Sequence, residues 1–483
     1  MLTSVVYDKS LQYPDSDEFF SPDCAWPEYR LEHLAQRPNP VYRAVRQCFA
    51  NARLDEEHFD QPTWNPLGRY IAPGNRVFLL CNFVQHKVRP TTSDVAFFAK
   101  CTHGSVIRAV MDYVLVALKG NGSIAFGNAP LQGCKWQQVI QQSGAKRVEE
   151  FYAKFGSEGI GVSLVDLRQH IMRRSLLGGV TTEFHADGGD HSVEVELGTD
   201  SLLDHLYASG PSPRFRVLDY DPRRIERCHE RGRHTYIMSR RILESDVIIS
   251  IPKLKTHEKV GITCGIKGCV GTVAHKDCLA HHRYGPPKRN GDEFPDKFAV
   301  LEFVSAIHER AYSREAGAIR DVLHSVDHFS RRVICRFTRT LSGAWPGNDT
   351  CWRMAVDLAR IVKYADKTGK MRTDTQRTHL VFTDGIIGGE GNGPLSPRPV
   401  SLGYLSFADD VVVGDYVNAL AMGFDPQKIP MLREAVKLNN YPLTDANPSQ
   451  AVIRFNGRAV PIDTLQQQLG KKFLPPREWR QAL

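Results

Sequence analysis

The stretch Arg76-Val77-Phe78-Leu79-Leu80-Cys81 decides the fold. It is apolar after its first residue and follows the turn signal Pro73-Gly74, which predicts a short buried strand. Downstream, Val106, Val110, Tyr113, Val114 and Ala117 share one helical face over 103–119. Ser123-Ile124-Ala125-Phe126-Gly127 and Gly161-Val162-Ser163-Leu164-Val165-Asp166-Leu167 read as a second and a third strand. Apolar strands separated by helices belong to a parallel sheet covered on both faces. Asp246-Val247-Ile248-Ile249-Ser250-Ile251 and His379-Leu380-Val381-Phe382-Thr383-Asp384 repeat the pattern, the latter after a helix over 350–366. The reading is an α/β fold: a doubly wound, mostly parallel sheet with a helical insertion or cap. Residues 1–70 read as an N-terminal extension packed on the core, with a helix over 40–53. Residues 71–295 form the α/β core, 296–345 the helical insertion, and 346–483 a C-terminal α/β part with a glycine-rich loop.

The chain has 483 residues, 42% of them hydrophobic and 24% charged, which is enough for a substantial core and excludes bulk disorder. A net charge of +8 on this length neither demands nor excludes a nucleic-acid partner. There is no apolar run of the roughly 18 residues a membrane helix needs, and the first residues lack a signal-peptide layout. The expectation is a soluble, cytoplasmic protein with no membrane partner. Eleven cysteines, none in a Cys-x-x-Cys pair, speak against a disulfide scaffold and an iron–sulfur cluster of the ferredoxin type.

The most informative segment follows the strand ending at Ile251. Pro252-Lys253-Leu254-Lys255-Thr256-His257 places two lysines, a threonine and a histidine at a strand exit, where open parallel sheets bind ligands. Gly261, Gly265, Gly268 and Gly271 then surround Lys267. One reading is a small-residue helix packed on the sheet with Lys267 pointing outward. The other is a loop that lets backbone approach a ligand while Lys267 meets an anion or forms an adduct. Four of 18 histidines fall between His257 and His282, a density that suits acid–base work, metal ligation or a solvated patch. Cys264, Cys269 and Cys278 lie among them, at a spacing that fits no compact zinc finger.

After Asp384 comes a stretch with five glycines and Glu390, read either as a loop holding a polyol, phosphate or cation or as a plain connection. No Walker or Gly-x-Gly-x-x-Gly pattern supports ATP or NAD. From 213 to 241, nine arginines are interleaved with Phe215, Tyr220 and Tyr236, which could stack on bases. Asp219, Asp221, Glu226 and Glu230 dilute that charge, so a solvated, ion-paired face is the expectation and nucleic-acid binding the rival.

Trp64-Asn65-Pro66-Leu67-Gly68, Thr102-His103, Ala129-Pro130-Leu131-Gln132, Pro252 to His257, Ile266-Lys267, His281-His282-Arg283, Gly291-Asp292-Glu293 and Asp384-Gly385-Ile386 occur in this order. Over roughly residues 20–435 the chain resembles the family called domain of unknown function 362, in its long form without a ferredoxin insert. The family has no established common activity. Its long members often lie near polysaccharide or other biosynthetic genes, which implies a role in biosynthesis. Leu80-Cys81-Asn82 stands where the family usually reads Lys-Pro-Asn, and Asn128 where it reads Asp. These departures remove a lysine and a carboxylate, and point to a specialised or weakened activity.

The order His103, His257, Lys267, then His281 or His282 is also similar to that of lactate racemases. That resemblance implies a lysine carrying a nickel-pincer nucleotide, a histidine on the metal and two histidines shuttling protons. The Asp-His-Thr-Arg motif of that family is replaced here by Asn82-Phe83-Val84-Gln85.

The leading expectation is an enzyme of isomerase, epimerase or redox type acting on a small hydroxylated or anionic substrate. His257, His103 and Lys267 are the expected catalytic groups. Lys253, Lys255, Thr256, Asn82, His281, Arg283, Asp292, Asp384 and Glu390 are expected to bind substrate or cofactor, with His282 as a metal ligand. The alternatives are a polyanion-binding protein and a catalytically weakened scaffold.

Overall fold

The computed structural model describes residues 2–15, 19–174, 180–185, 192–208, 210–217, 222–297, 299–314, 317–334, 336–338 and 340–483. Its main elements are β1 (Thr3–Tyr7), α1 (Pro40–Asn51), β2 (Arg76–Cys81), α2 (Gly104–Leu118), β3 (Ser123–Asn128), β4 (Gly161–Asp166), β5 (Val247–Ile251) and β6 (Lys253–His257). They continue with α3 (Cys264–Gly268), α4 (Ala299–Tyr312), α5 (Ala318–Ile334), α6 (Cys351–Tyr364), β7 (Thr378–Glu390), β8 (Arg398–Ala408), α7 (Val411–Ala421), β9 (Val452–Phe455) and β10 (Arg458–Pro461).

Among the described residues the main sheet has 11 strands, ordered β10-β9-β1-β8-β7-β5-β2-β3-β4 along its path, with β6 pairing to the far half of β7. β4, β3, β2, β5 and β7 run parallel, β8 is antiparallel to β7, and β1, antiparallel to β8, runs the same way as the parallel set. Successive residues of β2 serve opposite layers. Val77, Leu79 and Cys81 pack with Phe49, Val110 and Tyr113 under α1 and α2. Phe78 and Leu80 join Val356 and Val413 of α6 and α7. The sheet is therefore doubly wound, as its apolar strands predict.

The path moves outward from β2 to β3 and β4, then returns to the other side of β2 with β5. This reversal opens a crevice beyond the carboxyl ends of β2 and β5, the usual ligand position in such sheets.

Two strand exits differ from expectation. Pro252–His257 is not an open loop, because Lys253–His257 forms β6, buried throughout. The glycine-rich stretch after Asp384 is likewise strand, since β7 runs on to Glu390. Its glycines answer crowding: a Cβ on Gly389 would sit 2.4 Å from the Ala99 carbonyl oxygen. Short, polar or glycine-rich strands lack the apolar signature by which the others are read. Around Lys267 the chain is helical, as the single turn α3, but Lys267 is buried rather than pointing outward.

Candidate active site

A cavity of about 1360 Å³ lies at the strand-order reversal. It exceeds the roughly 300–1,000 Å³ of ordinary small-ligand pockets. Asn82 and Phe83 enter from the end of β2, Asn128 and Gln132 from β3, and Arg168 from β4. The opposite wall carries Lys255 and His257 of β6, Lys259, Lys267 of α3, Lys276 and His281.

α3 is short, and its seat is specific. The carboxylate of Asp415 on α7 accepts the Gly265 and Ile266 amides at 2.6 and 2.8 Å. Glycine is required at 265, since a Cβ there would meet Val411 Cγ2 at 2.9 Å. Burial pushes the Asp415 carboxyl up to about 7. With its base fixed in this way, α3 places Lys267 at the cavity wall.

Four lysines gather there without a matching set of carboxylates. Lys255 donates to Asn82 Oδ1 and, at 3.2 Å, to the Lys100 carbonyl. Lys276 donates to the Val270 carbonyl at 2.8 Å, and Lys259 to that of Ser342. For Lys267 no protein hydrogen-bond partner is found among the described residues. Burial lowers all four ammonium pKa values, to about 7 for Lys255 and Lys276. Of the cavity's carboxylates, Asp166 is taken up by Arg168 at 2.6 Å and Glu149 by Lys146 at 2.6 Å, while Glu258 acts on Lys259. Both polar atoms of the Gln132 amide, Asn128 Oδ1 and Thr263 Oγ1 are also buried without a partner. Buried ammonium groups without a salt bridge and unsatisfied polar atoms around one cavity are costly unless a polar, negatively charged ligand supplies the missing contacts.

His257 and His281 share this wall in complementary forms. His257 Nδ1 accepts the Lys259 amide at 3.1 Å, so in the neutral ring Nε2 carries the proton. His281 Nδ1 donates to the Leu279 carbonyl at 2.9 Å, which leaves Nε2 as a lone pair. Burial first, and then Lys267 and Lys259, hold both pKa values well below the usual imidazole range. Both rings are thus neutral near pH 7, one offering a proton and the other accepting one.

Other expected site residues lie elsewhere. His103 does not line the cavity: its ring stacks on Tyr13 at 4.0 Å, and its Nδ1 accepts the Ser105 amide at 3.1 Å as the N-cap of α2. Asp384 accepts the Tyr13 hydroxyl at 2.7 Å and pairs with Lys253 at 2.9 Å, both side chains being sealed. Thr256 Oγ1 donates to the Gly391 carbonyl at 2.7 Å, and Glu390 accepts from Arg398 and from the Leu474 amide. Asp292 accepts the Arg283 amide and the Thr350 hydroxyl, tying the loop before the insertion to the residue that starts α6. Arg283 and His282 are buried in a two-stranded pair with Phe215–Arg216, away from the cavity wall. Among the described residues no three His, Cys, Asp or Glu are grouped to hold a metal.

The reading of the sequence overlooked Lys259, Lys276, Gln132 and Arg168. Lys276 carries a signal in its place between two of the clustered histidines. Arg168 has none, because its role, bonding Asp166 and the carbonyls of Leu131, Gln132 and Cys134, exists only in the fold.

Residues 208–419 match the family model described as Domain of unknown function (DUF362). The chain carries a DUF362 domain. That stretch supplies β5 to β8 and the whole Lys/His wall, whereas the facing wall of Asn82, Asn128, Gln132 and Arg168 lies upstream of it. A thylakoid-associated protein of Synechocystis sp. is 23% identical over 221 residues, which cover 45% of this chain and 43% of that protein. The match thus spans less than half of the relative's length. No solved structure matches. Among the described residues no helix is long and apolar enough to cross a membrane. In the arginine-rich stretch, Phe215 and Tyr236 are core residues, and Arg214, Arg216, Arg224 and Arg233 are ion-paired. Tyr220, Asp219 and Asp221 lie outside the described residues.

Proposed function

We propose that this cavity is the active site of an isomerase- or epimerase-type enzyme acting on a small, hydroxylated, anionic molecule. The observation that carries the reading is the pair of neutral histidines of opposite tautomer beside a wall of buried lysines with no carboxylate in salt-bridge range among the described residues. The lysines, with Gln132 and Asn128, bind the anionic and hydroxyl groups. His281 accepts a proton through Nε2 and His257 donates one through Nε2–H, with Lys267 stabilising the negative charge that develops between the two steps.

Of the four positions in the lactate-racemase-like order, His257, Lys267 and His281 share the cavity. They also fit a covalently attached anionic cofactor, since a buried lysine of lowered pKa is a competent nucleophile. Intact-mass measurement on Lys267-containing peptides from the native host reports such an adduct.

The test is thermal-shift screening of the protein against hydroxy acids and sugar phosphates, followed by exchange in D₂O with whatever binds. A stabilising anion that gains deuterium at carbon, with binding lost in Lys267→Met, is the expected result. A wild-type protein indifferent to every anion contradicts the reading.

A further inference from the structure

The second helix of the insertion, α5, turns its polar side inward and its apolar side out. On α5, His324 and Asp327 are buried. Asp327 bonds His308 of α4 and Arg331 at 2.9 Å each, and Arg331 reaches Ser342 at 2.9 Å. The opposite face carries Ile319, Val322, Val326, Phe329 and Val333, exposed by 39% to 69%. An ordinary surface helix shows the reverse arrangement, because an apolar stripe in water forfeits the main driving force for folding. Singly scattered apolar residues are normal on a surface, whereas five in one line mark a binding face.

We infer that this face is the dimer interface of the protein, with α5 packing along the same helix of a second copy. Two observations select that occupant. The five residues are spaced by three, four, three and four, a strict a/d seam in which β-branched residues hold 319, 326 and 333. Such a narrow seam fits another helix, and a two-fold axis lets an identical seam complete it. The charge on α5 fits a second copy better than an anionic lipid surface: Arg320, Arg331 and Arg332 face Asp321 and Asp327, and Arg331 is spent internally. A helix lying on a membrane needs a richly basic polar face, which α5 lacks. Val300 and Phe303 of α4 are exposed as well and widen the apolar surface of the hairpin.

The experiment is light scattering on the full-length protein after size exclusion, at micromolar concentration, together with flotation on phosphatidylglycerol vesicles. The expected result is a dimer that does not float. Val326→Glu with Phe329→Glu should give a monomer with an unchanged circular dichroism spectrum. Ile319→Ser with Val333→Ser, which adds no charge, should weaken dimerisation at least tenfold. A wild-type monomer overturns the proposal. So does a dimer that survives both double substitutions, and so does flotation abolished by them, which assigns the face to lipid.

Discussion

His257 and His281 make a directional claim that single substitutions can check. Because one ring presents N–H and the other a lone pair, each serves one half of a proton transfer. His257→Gln and His281→Gln should each lower kcat by about 10²-fold or more while KM changes little. Equal loss of binding in both variants points to a merely structural role. The lysines make a claim about pH. Lys255 and Lys276 sit at about 7 rather than 10.5, because burial strips water from the ammonium. A bound anion favours the charged form, raises these values and draws protons from solvent. Anion affinity should therefore fall as pH rises from about 7 towards about 10, and binding at pH 8 should take up protons. Calorimetry in two buffers of different ionisation enthalpy measures that uptake, and none is expected if Lys255 and Lys276 stay away from the ligand. In the free protein the sign is opposite. The folded chain binds these protons less readily than the unfolded one, so the two lysines cost stability progressively as pH falls from about 10.5 to about 7, with no further loss below that.

α3 shows how much one turn of helix depends on its neighbours. Asp415→Ala leaves the Gly265 and Ile266 amides buried without an acceptor, at a cost of about 1–3 kcal/mol for an unpaired group. Gly265→Ala should cost a similar amount, roughly 1–3 kcal/mol by overpacking against Val411, and should lower turnover by displacing Lys267. Urea denaturation and steady-state kinetics on the same samples separate the two effects. Elements of this kind also mark where the sequence is silent. β2, β3 and β5 are legible because strands buried on both faces are written in apolar residues. β6 is not, since Lys253, Lys255 and His257 occupy a buried strand for the sake of the cavity and of Asp384. The far half of β7 is hidden for another reason: its glycines answer contacts with Ala99, Phe473 and Tyr404, which no local pattern encodes. His103 misled because a histidine before a helix looks the same whether it caps the helix or serves a ligand. His257, Lys267 and His281 were legible as a group because one short segment carries all three.

At the scale of the molecule, remote parts of the chain meet in two places. In the first, Tyr13, Lys253 and Asp384 bring together an N-terminal loop, β6 and β7 in one sealed ion pair. Lys253→Met leaves Asp384 buried without its partner, and a loss of about 3–5 kcal/mol is expected by chemical denaturation. Lys253→Met with Asp384→Leu should recover part of it, since two apolar groups of similar volume remove the stranded charge. The second is β1, which sits between β8 and β9 and pairs Thr3 to Ala408 and Ser4 to Arg454. During synthesis β1 is made before both of its neighbours, which follow some 400 residues later, roughly 20–80 s at ordinary elongation speeds. Throughout that interval the nascent chain carries a segment with neither of its strand partners, held only by contacts with α1 such as Ser4 Oγ to the Cys48 carbonyl at 2.6 Å. This edge of the sheet therefore cannot assemble until both later strands have been made, and the protein's yield in a cell should follow the supply of holdase chaperones more closely than the speed of translation.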